Sequence, residues 1–482
     1  MSGILLRSAA AYGLTDLSTR IVGLAVFPVY AQIFSVEEFG LFALMTSGVA
    51  LCAIFANLGM NSSMQRYYLD QGATDASRRS VVFTGLALIT ASCLAVTLVV
   101  GLLIGWPGSI DRLEGRGISL LLALSALGTV APGQLLQYAQ DVLRVRFALG
   151  AFAVVAVMKS LLGVLIGLAL VVGWSYRVEG LFIGQLVASL IAVPVALWLV
   201  REDLSPSWLR PVARKMMDYG WPLALSGLGY WIVASMDVWL LSLLSSQTEV
   251  GLYGAATRVV VLMAFVNAAF GMAWAPYALK TFAEDSNYPA ILGSSFSLWL
   301  YLISLLGLIV VLFSAEIFWL LTPPAYWSAA PTLSGLAAGA VMQGSTQITV
   351  LGLSLARRTR TIAACAWAAA TIHLLTSLLL VPHFGAVGAG ATSVVSFSIL
   401  SALYMVFSQR AHPLKIDWLR ALVPVFAVWG SFAAVLLLDQ SAPSTGMLLL
   451  KLAAVAAFLL AGQMMGIVTL ARLRSLAENW RR

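Results

Sequence analysis

Apolar runs of about twenty residues, parted by short polar intervals, recur along the whole of this 482-residue chain. A run of that length crosses the hydrocarbon core as a helix. In lipid the backbone must satisfy its own hydrogen bonds, and a helix does so within one segment. Fourteen such runs are expected, at 9–34, 40–62, 79–105, 117–140, 147–173, 178–200, 216–244, 249–278, 290–314, 330–355, 360–381, 385–408, 416–438 and 446–469. They are numbered here as spans 1 to 14. The two least apolar are span 1, which carries Asp16 and Arg20, and span 10, rich in Gly, Ser, Thr and Gln. The fold class is therefore all-α, a polytopic membrane protein. Intervals such as 63–78 and 201–215 leave no room for a folded domain outside the membrane.

Composition agrees with the pattern. Hydrophobic residues make up 61% and charged residues 10%, with a mean hydropathy of +0.94. A soluble chain of this length could not cover its surface with so few polar groups. The charge sharpens the topology. If the spans alternate, 21 of the 28 basic residues fall on the N-terminal side, including Arg66, Arg78, Arg144, Arg201, Lys215, Arg358 and Arg410. Arg112, Arg116 and Arg177 alone fall on the other side. The positive-inside rule then puts both termini in the cytoplasm. The net charge of +8 is accounted for by topology and does not point to nucleic acid. Cys52, Cys93 and Cys365 all lie inside spans, which excludes a disulfide framework or metal-ligand spacing. Span 1 follows a single basic residue and precedes no small-residue cleavage site, so it is expected to be a retained helix.

The chain also repeats itself. Tyr12-Gly13 recurs as Tyr219-Gly220, Glu38-Phe39-Gly40-Leu41 as Glu249-Val250-Gly251-Leu252, and Val178-Glu179-Gly180-Leu181 as Ala386-Val387-Gly388-Ala389, at offsets of 207, 211 and 208. Each pair falls at the same topological point. The expected organisation is an N-terminal lobe (1–205, spans 1–6), a C-terminal lobe (206–410, spans 7–12) and an appended pair of spans (411–482). Parallel repeats of this kind are a transporter design in which substrate sits between halves that rock against each other.

Several stretches carry a resemblance. The opening "LLRSAAAYGLTDLSTRIVGLAVFPVYAQIFSVEEFGLFAL", the span 2 exit "NLGMNSSMQRYY", the passage "YWIVASMDVWLLSLLSSQTEVGLYGAATRVVVLM" and the hairpin "LLVPHFGAVGAGATSVVS" resemble the O-antigen and exopolysaccharide flippases of the multidrug/oligosaccharidyl-lipid/polysaccharide superfamily. The resemblance spans most of residues 1–410. It implies a two-lobed, 14-helix fold in the bacterial inner membrane that moves polyprenyl-pyrophosphate-linked oligosaccharide to the outer leaflet. No cofactor is expected, polysaccharide polymerase or export proteins are candidate partners, and the driving force is open between coupling to protons or another cation through Asp16 or Asp237 and the membrane potential.

Ionisable groups deep in spans mark the candidate cavity, since such groups are costly in lipid and tend to face water or a partner. Arg20, Lys159 and Arg258 are candidate contacts to pyrophosphate or anionic sugar. Asp16 and Asp237 are candidate coupling or counter-ion groups. Each has a plainer reading. Asp16 and Arg20, four residues apart on one face, can pair locally. Lys159 can pair with Asp16 or Asp237. Asp237 can be a proton carrier or a fixed counter-ion for Arg20, Lys159 or Arg258. Arg258 can snorkel to the outer surface. Gln343 and Gln347 on span 10, and Gln134, Gln137, Tyr138 and Asp141 on span 4, are polar stripes that can face sugar or glue helices together. Lys451 is expected to snorkel, and His373 to be a hydrogen-bonded structural group.

Rival readings remain open on these residues, among them a non-transporting scaffold, which fits the fold but leaves the buried charges unexplained. A cation-coupled drug exporter of the same superfamily would have twelve spans and an acidic cavity. A lipid II flippase would have fourteen spans and several arginines in the first two. A membrane glycan polymerase or ligase would need a large outer loop bearing Arg, His or Asp, and His383 is the only histidine on that side. The chain is accordingly expected not to be an enzyme.

Overall fold

A computed structural model of the chain describes residues 22–70, 74–204, 206, 208–356, 358–437 and 445–467. Among these residues the protein is helical throughout, with no strand. Spans 1 and 2 correspond to α1 (Val22–Ile33), α2 (Val36–Asn57) and α3 (Met60–Tyr68). Spans 3 and 4 are α4 (Asp75–Ile104), then α6 (Leu120–Gly128) and α7 (Val130–Val145), with the short α5 (Ser109–Glu114) between them. Spans 5 to 8 are α8 (Leu149–Gly173), α9 (Val178–Leu199), α10 (Arg210–Leu244) and α11 (Gln247–Glu284). Span 9 is α12 (Tyr288–Leu312), followed by α13 (Ser314–Leu321). Span 10 is α14 (Ala330–Thr349) with α15 (Leu351–Leu355), spans 11 and 12 form α16 (Thr359–Ala411), and the last two spans are α17 (Trp418–Leu437) and α18 (Thr445–Met464).

Eleven of the described helices are long and apolar enough to cross a membrane. The expected spans missing from that number have physical explanations. Span 1 is described only from residue 22, outside which Asp16 and Arg20 lie. Spans 11 and 12 run on as 53 helical residues, about 80 Å if straight and far beyond a bilayer. They turn at Gly385, whose φ of 53° and ψ of −133° suit glycine alone. Span 10 fails on composition, because it does not face lipid. Its residues are buried on nearly every side. A Cβ on Gly335 would come within 2.9 Å of the Gly390 backbone, and one on Gly339 within 3.0 Å of Ser393, so spans 10 and 12 are in backbone contact. Packing of this kind replaces hydrophobicity as the stabilising force inside a membrane protein.

The chain divides into two compact units, Met1–Val238 and Trp239–Arg482. In the first, Gly163 and Gly167 of α8 lie against Ala188 and Leu181 of α9, and a core including Met60, Val82, Leu136 and Met216 fills the space behind them. In the second, α14 sits amid a core including Leu300, Val341, Val425 and Phe458. An apolar cavity of about 350 Å³ lies among Tyr301, Ala427, Ser431, Ala457 and Gly462 of α12, α17 and α18.

Glu38 and Glu249, one from each of two matched stretches, are each clasped inside their own unit. In the first, Ser35 and Glu38 form a capping box at the start of α2. The Glu38 carboxylate also pairs with the Arg177 guanidinium, next to Val178 at the start of span 6. In the second, the Ser246 hydroxyl caps α11, and Glu249, in the place of Glu38, accepts the Ala386 amide at 2.7 Å at the start of span 12. The first clasp is an ion pair to a guanidinium and the second a hydrogen bond from a main-chain amide.

Lys451 corrects an expectation. It does not snorkel: its side chain is 6% exposed and its ammonium donates to both carboxylate oxygens of Glu316 on α13, at 2.7 and 2.8 Å.

Candidate translocation site

Lys159 sits on the inward face of α8, with Phe152 and Val155 on the same side and Gly163 one turn on. It is half-buried. Among the described residues no carboxylate or other acceptor lies within bonding distance of its ammonium. Pairing with Asp237 is therefore not formed, and Asp16 lies outside the described residues.

Asp237 near the end of α10 is wholly buried, and Arg258 on α11 is half-buried. Neither is without an interaction, as a buried carboxylate requires. Gln343 and Gln347 are both half-buried on α14. The Gln347 amide lies over Gly271 of α11, where a Cβ would come within 2.7 Å of its Oε1. One turn away Asn267 donates to the Ala340 carbonyl at 2.9 Å, and the Trp299 indole donates to the Gly344 carbonyl at 3.0 Å. Trp299 stacks on Phe270 and Phe270 on Trp274. The second unit thus places amides and aromatics together on α11, α12 and α14. Asn267 and this aromatic row were not singled out in the sequence, where single polar and aromatic residues in Gly-rich apolar runs carry no periodic signal.

The span 4 stripe is helix glue. Gln134 accepts from Asn57 at 3.0 Å, Asp141 accepts from Asn61 at 2.7 Å and from Arg144 at 3.0 Å, and the wholly buried Tyr138 donates to the Val82 carbonyl at 2.8 Å. Asn57 and Asn61 flank a break in span 2, where Leu58 (φ 48°) and Gly59 (φ 73°) leave the helix. His373 shares a hydrogen bond with Ser396 at 3.0 Å, as a structural histidine would. At the Arg/Lys-rich end, outside the spans, Arg146 pairs with Asp203 at 2.8 Å and Glu202 at 3.0 Å. Partial burial alone would lower its pKa, but the Asp203 and Glu202 carboxylates raise it overall. Burial first, then the Asp203 charge, raises the pKa of nearby Tyr68. No group of three or more metal-ligating side chains exists among the described residues.

This helical layout is the fold of the multidrug/oligosaccharidyl-lipid/polysaccharide exporters. A lipid II flippase MurJ in an inward closed conformation has a TM-score of 0.71 at 14% identity, over 94% of this chain and 98% of that one. A multidrug resistance MATE family transporter, in an inward-facing conformation, has a TM-score of 0.62 at 13% identity, over 83% and 97%. At such identities these likenesses define the fold alone. The sequence goes further: residues 5–282 match the family described as "Polysaccharide biosynthesis protein", and the chain belongs to that family. A Haloferax volcanii protein named "Probable low-salt glycan biosynthesis flippase Agl15" is 22% identical over 397 residues, 81% of this chain and 80% of that protein. An uncharacterised membrane protein of Methanocaldococcus jannaschii is 21% identical over 404 residues, 79% of each. The chain is a multi-pass membrane protein of the polysaccharide biosynthesis family, and the relative and structures named here as flippases or transporters are similar to it.

Proposed function

We propose that the protein flips a polyprenyl-pyrophosphate-linked oligosaccharide from the cytoplasmic to the outer leaflet of the inner membrane, for surface polysaccharide synthesis. The observation that carries this is Lys159, an ammonium set in a membrane span with no acceptor among the described residues, in a chain of the polysaccharide biosynthesis family. Only the charged head group needs a polar route; the polyprenyl tail can remain in lipid. Lys159, Arg20 and Arg258 attract pyrophosphate and anionic sugar, and the amides of Gln343 and Gln347 meet neutral hydroxyls. Asp16 and Asp237 serve proton or cation coupling. The moving bodies are the six-span halves 1–205 and 206–410, with spans 13 and 14 carried by the second. Both termini are cytoplasmic, and a glycan polymerase or export protein receives the product outside.

The test is glycan export in a deletion strain. Deletion is expected to trap lipid-linked glycan on the cytoplasmic face. Wild type restores export, and Lys159→Ala at matched membrane levels does not. Intact surface glycan with raised drug sensitivity would transfer the protein to the drug-exporter class. Rescue of a strain lacking its lipid II flippase would reassign the cargo to peptidoglycan precursor.

A further inference from the structure

Two seams meet at span 2, and their chemistry differs. Toward span 4 the two sides of the break are each pinned by side chains: Asn57 to Gln134, and Asn61 to an Asp141 carboxylate that also holds Arg144. Asp141 is 3% exposed. Parting this seam would strip a buried carboxylate of a donor, which is costly. Toward span 7 the contact is made of backbone. Gly59 and Gly220 touch so closely that a Cβ on Gly220 would lie 2.6 Å from the Leu58 carbonyl oxygen and 2.9 Å from the Ser63 hydroxyl. Ser63 donates to the Met216 carbonyl at 2.8 Å, Tyr67 to the Lys215 carbonyl at 3.2 Å, and Arg66 lies over the Tyr219 ring at 4.7 Å. Higher in the span, Trp231 donates to the Ser47 carbonyl at 3.3 Å.

Every acceptor in the lower part of this second seam is a main-chain carbonyl of a helix, already engaged in its own ladder. When the seam parts, the Ser63 hydroxyl can turn to the carbonyl one turn back on α3, and Tyr67 and Arg66 reach water at the helix end. No charge is stranded, and the apolar packing that parts is that of Met60, whose methyl lies against Gly220, and Met216, flexible side chains of one core. The αL pair at Leu58 and Gly59 forms the notch that admits Gly220, so contact and release need no change in either helix's own hydrogen bonds.

We propose that the Gly59–Gly220 seam between spans 2 and 7 is the contact that opens and closes at the Arg/Lys-rich end during transport, while the span 2–span 4 seam stays shut. This rests on the transport reading above, so the experiment has one arm that needs no glycan. In a background with Cys52, Cys93 and Cys365 replaced by Ala, Ser63→Cys reports opening. Ser63 is 0% exposed, so a maleimide reaches it only when the seam parts. Tyr67→Cys with Tyr219→Cys, whose native rings lie 6.2 Å apart, are bridged by a short bis-thiosulfonate to lock the seam. Gly163→Cys with Ala188→Cys lock spans 5 and 6 as a control; the new Cβ would lie 3.8 Å from that of residue 188, right for a disulfide.

The lock across 67 and 219 is expected to slow labelling of residue 63 at least tenfold and to cut export at least tenfold, both restored by reductant. The lock across 163 and 188 changes neither. If labelling at 63 is absent without any lock, or proceeds unchanged through the 67–219 lock, or if the locked protein exports at the full rate, the seam is static and the proposal fails. If the lock stops labelling while deletion of the gene leaves glycan export intact, the seam stands and the cargo assignment falls instead.

Discussion

A lysine ammonium at the centre of a membrane helix costs about 2.5–3.5 kcal/mol on insertion scales, and Lys159 recovers none of that through a partner among the described residues. A structural lysine would be missed when removed; this one should not be. Lys159→Met is expected to leave the melting temperature in detergent unchanged or higher, while export falls about 10- to 100-fold through loss of a charge-assisted contact. Lys159→Arg should keep most of the export. A large fall in melting temperature for the Met variant would mark Lys159 as part of the packing. Gly385 gives the opposite profile. Its backbone lies where side chains cost about 1–3 kcal/mol, and the Glu249 carboxylate occupies the place a Cβ would take. Gly385→Ala should destabilise by at least about 1 kcal/mol, and Glu249→Ala by about 1 kcal/mol through the lost cap on Ala386. Equal melting curves for wild type and both variants would show the turn to be unstrained.

At the scale of elements, the appended pair of spans is tied to span 9 by more than apolar packing. Lys451 on α18 is bonded to Glu316 on α13, with side chains 6% and 20% exposed. Lys451→Met leaves Glu316 with an uncompensated charge and is expected to cost about 3 kcal/mol, at the low end for a broken buried pair because Glu316 keeps some solvent. The double variant Lys451→Met, Glu316→Leu should recover most of that. A double-mutant cycle on thermal unfolding in detergent checks the coupling; additive losses would show that the pair contributes nothing of its own. Span 10 shows why hydropathy misjudges a span. Its Gly335, Gly339 and Gly344 admit the backbone or side chains of neighbouring helices. Gly339→Leu should prevent assembly of the second unit, seen as loss of folded protein from the membrane fraction, while the same change at Gly101, which has open space around it, should be tolerated.

Taken as a whole molecule, the chain joins two compact units, each with a clasp on a glutamate near a helix start, Glu38 with Arg177 and Glu249 with Ala386. The family and the fold agree on a multi-pass membrane protein of polysaccharide biosynthesis. Export by the whole protein is therefore expected to depend on both clasps. Paired Ala substitutions at Glu38 and Glu249 should reduce export more than either alone, measured at equal abundance in the membrane. Wild-type export by the double variant would show that the clasps serve assembly only.

The class, the all-helical build and the approximate places of the spans that the structure describes were legible in the sequence. The bilayer imposes length and apolarity on every span, and these properties are local. The cationic candidates were legible for the same reason: a charge in an apolar run stands out wherever the run folds. What side chains meet was settled only by the tertiary structure. Lys451 found Glu316 some 135 positions away, the span 4 stripe turned out to be fastened to Asn57 and Asn61, and the notch at Gly59 received Gly220. Such pairings depend on which helix faces which, and inside a membrane no difference in hydrophobicity between lipid and protein writes that choice into the pattern.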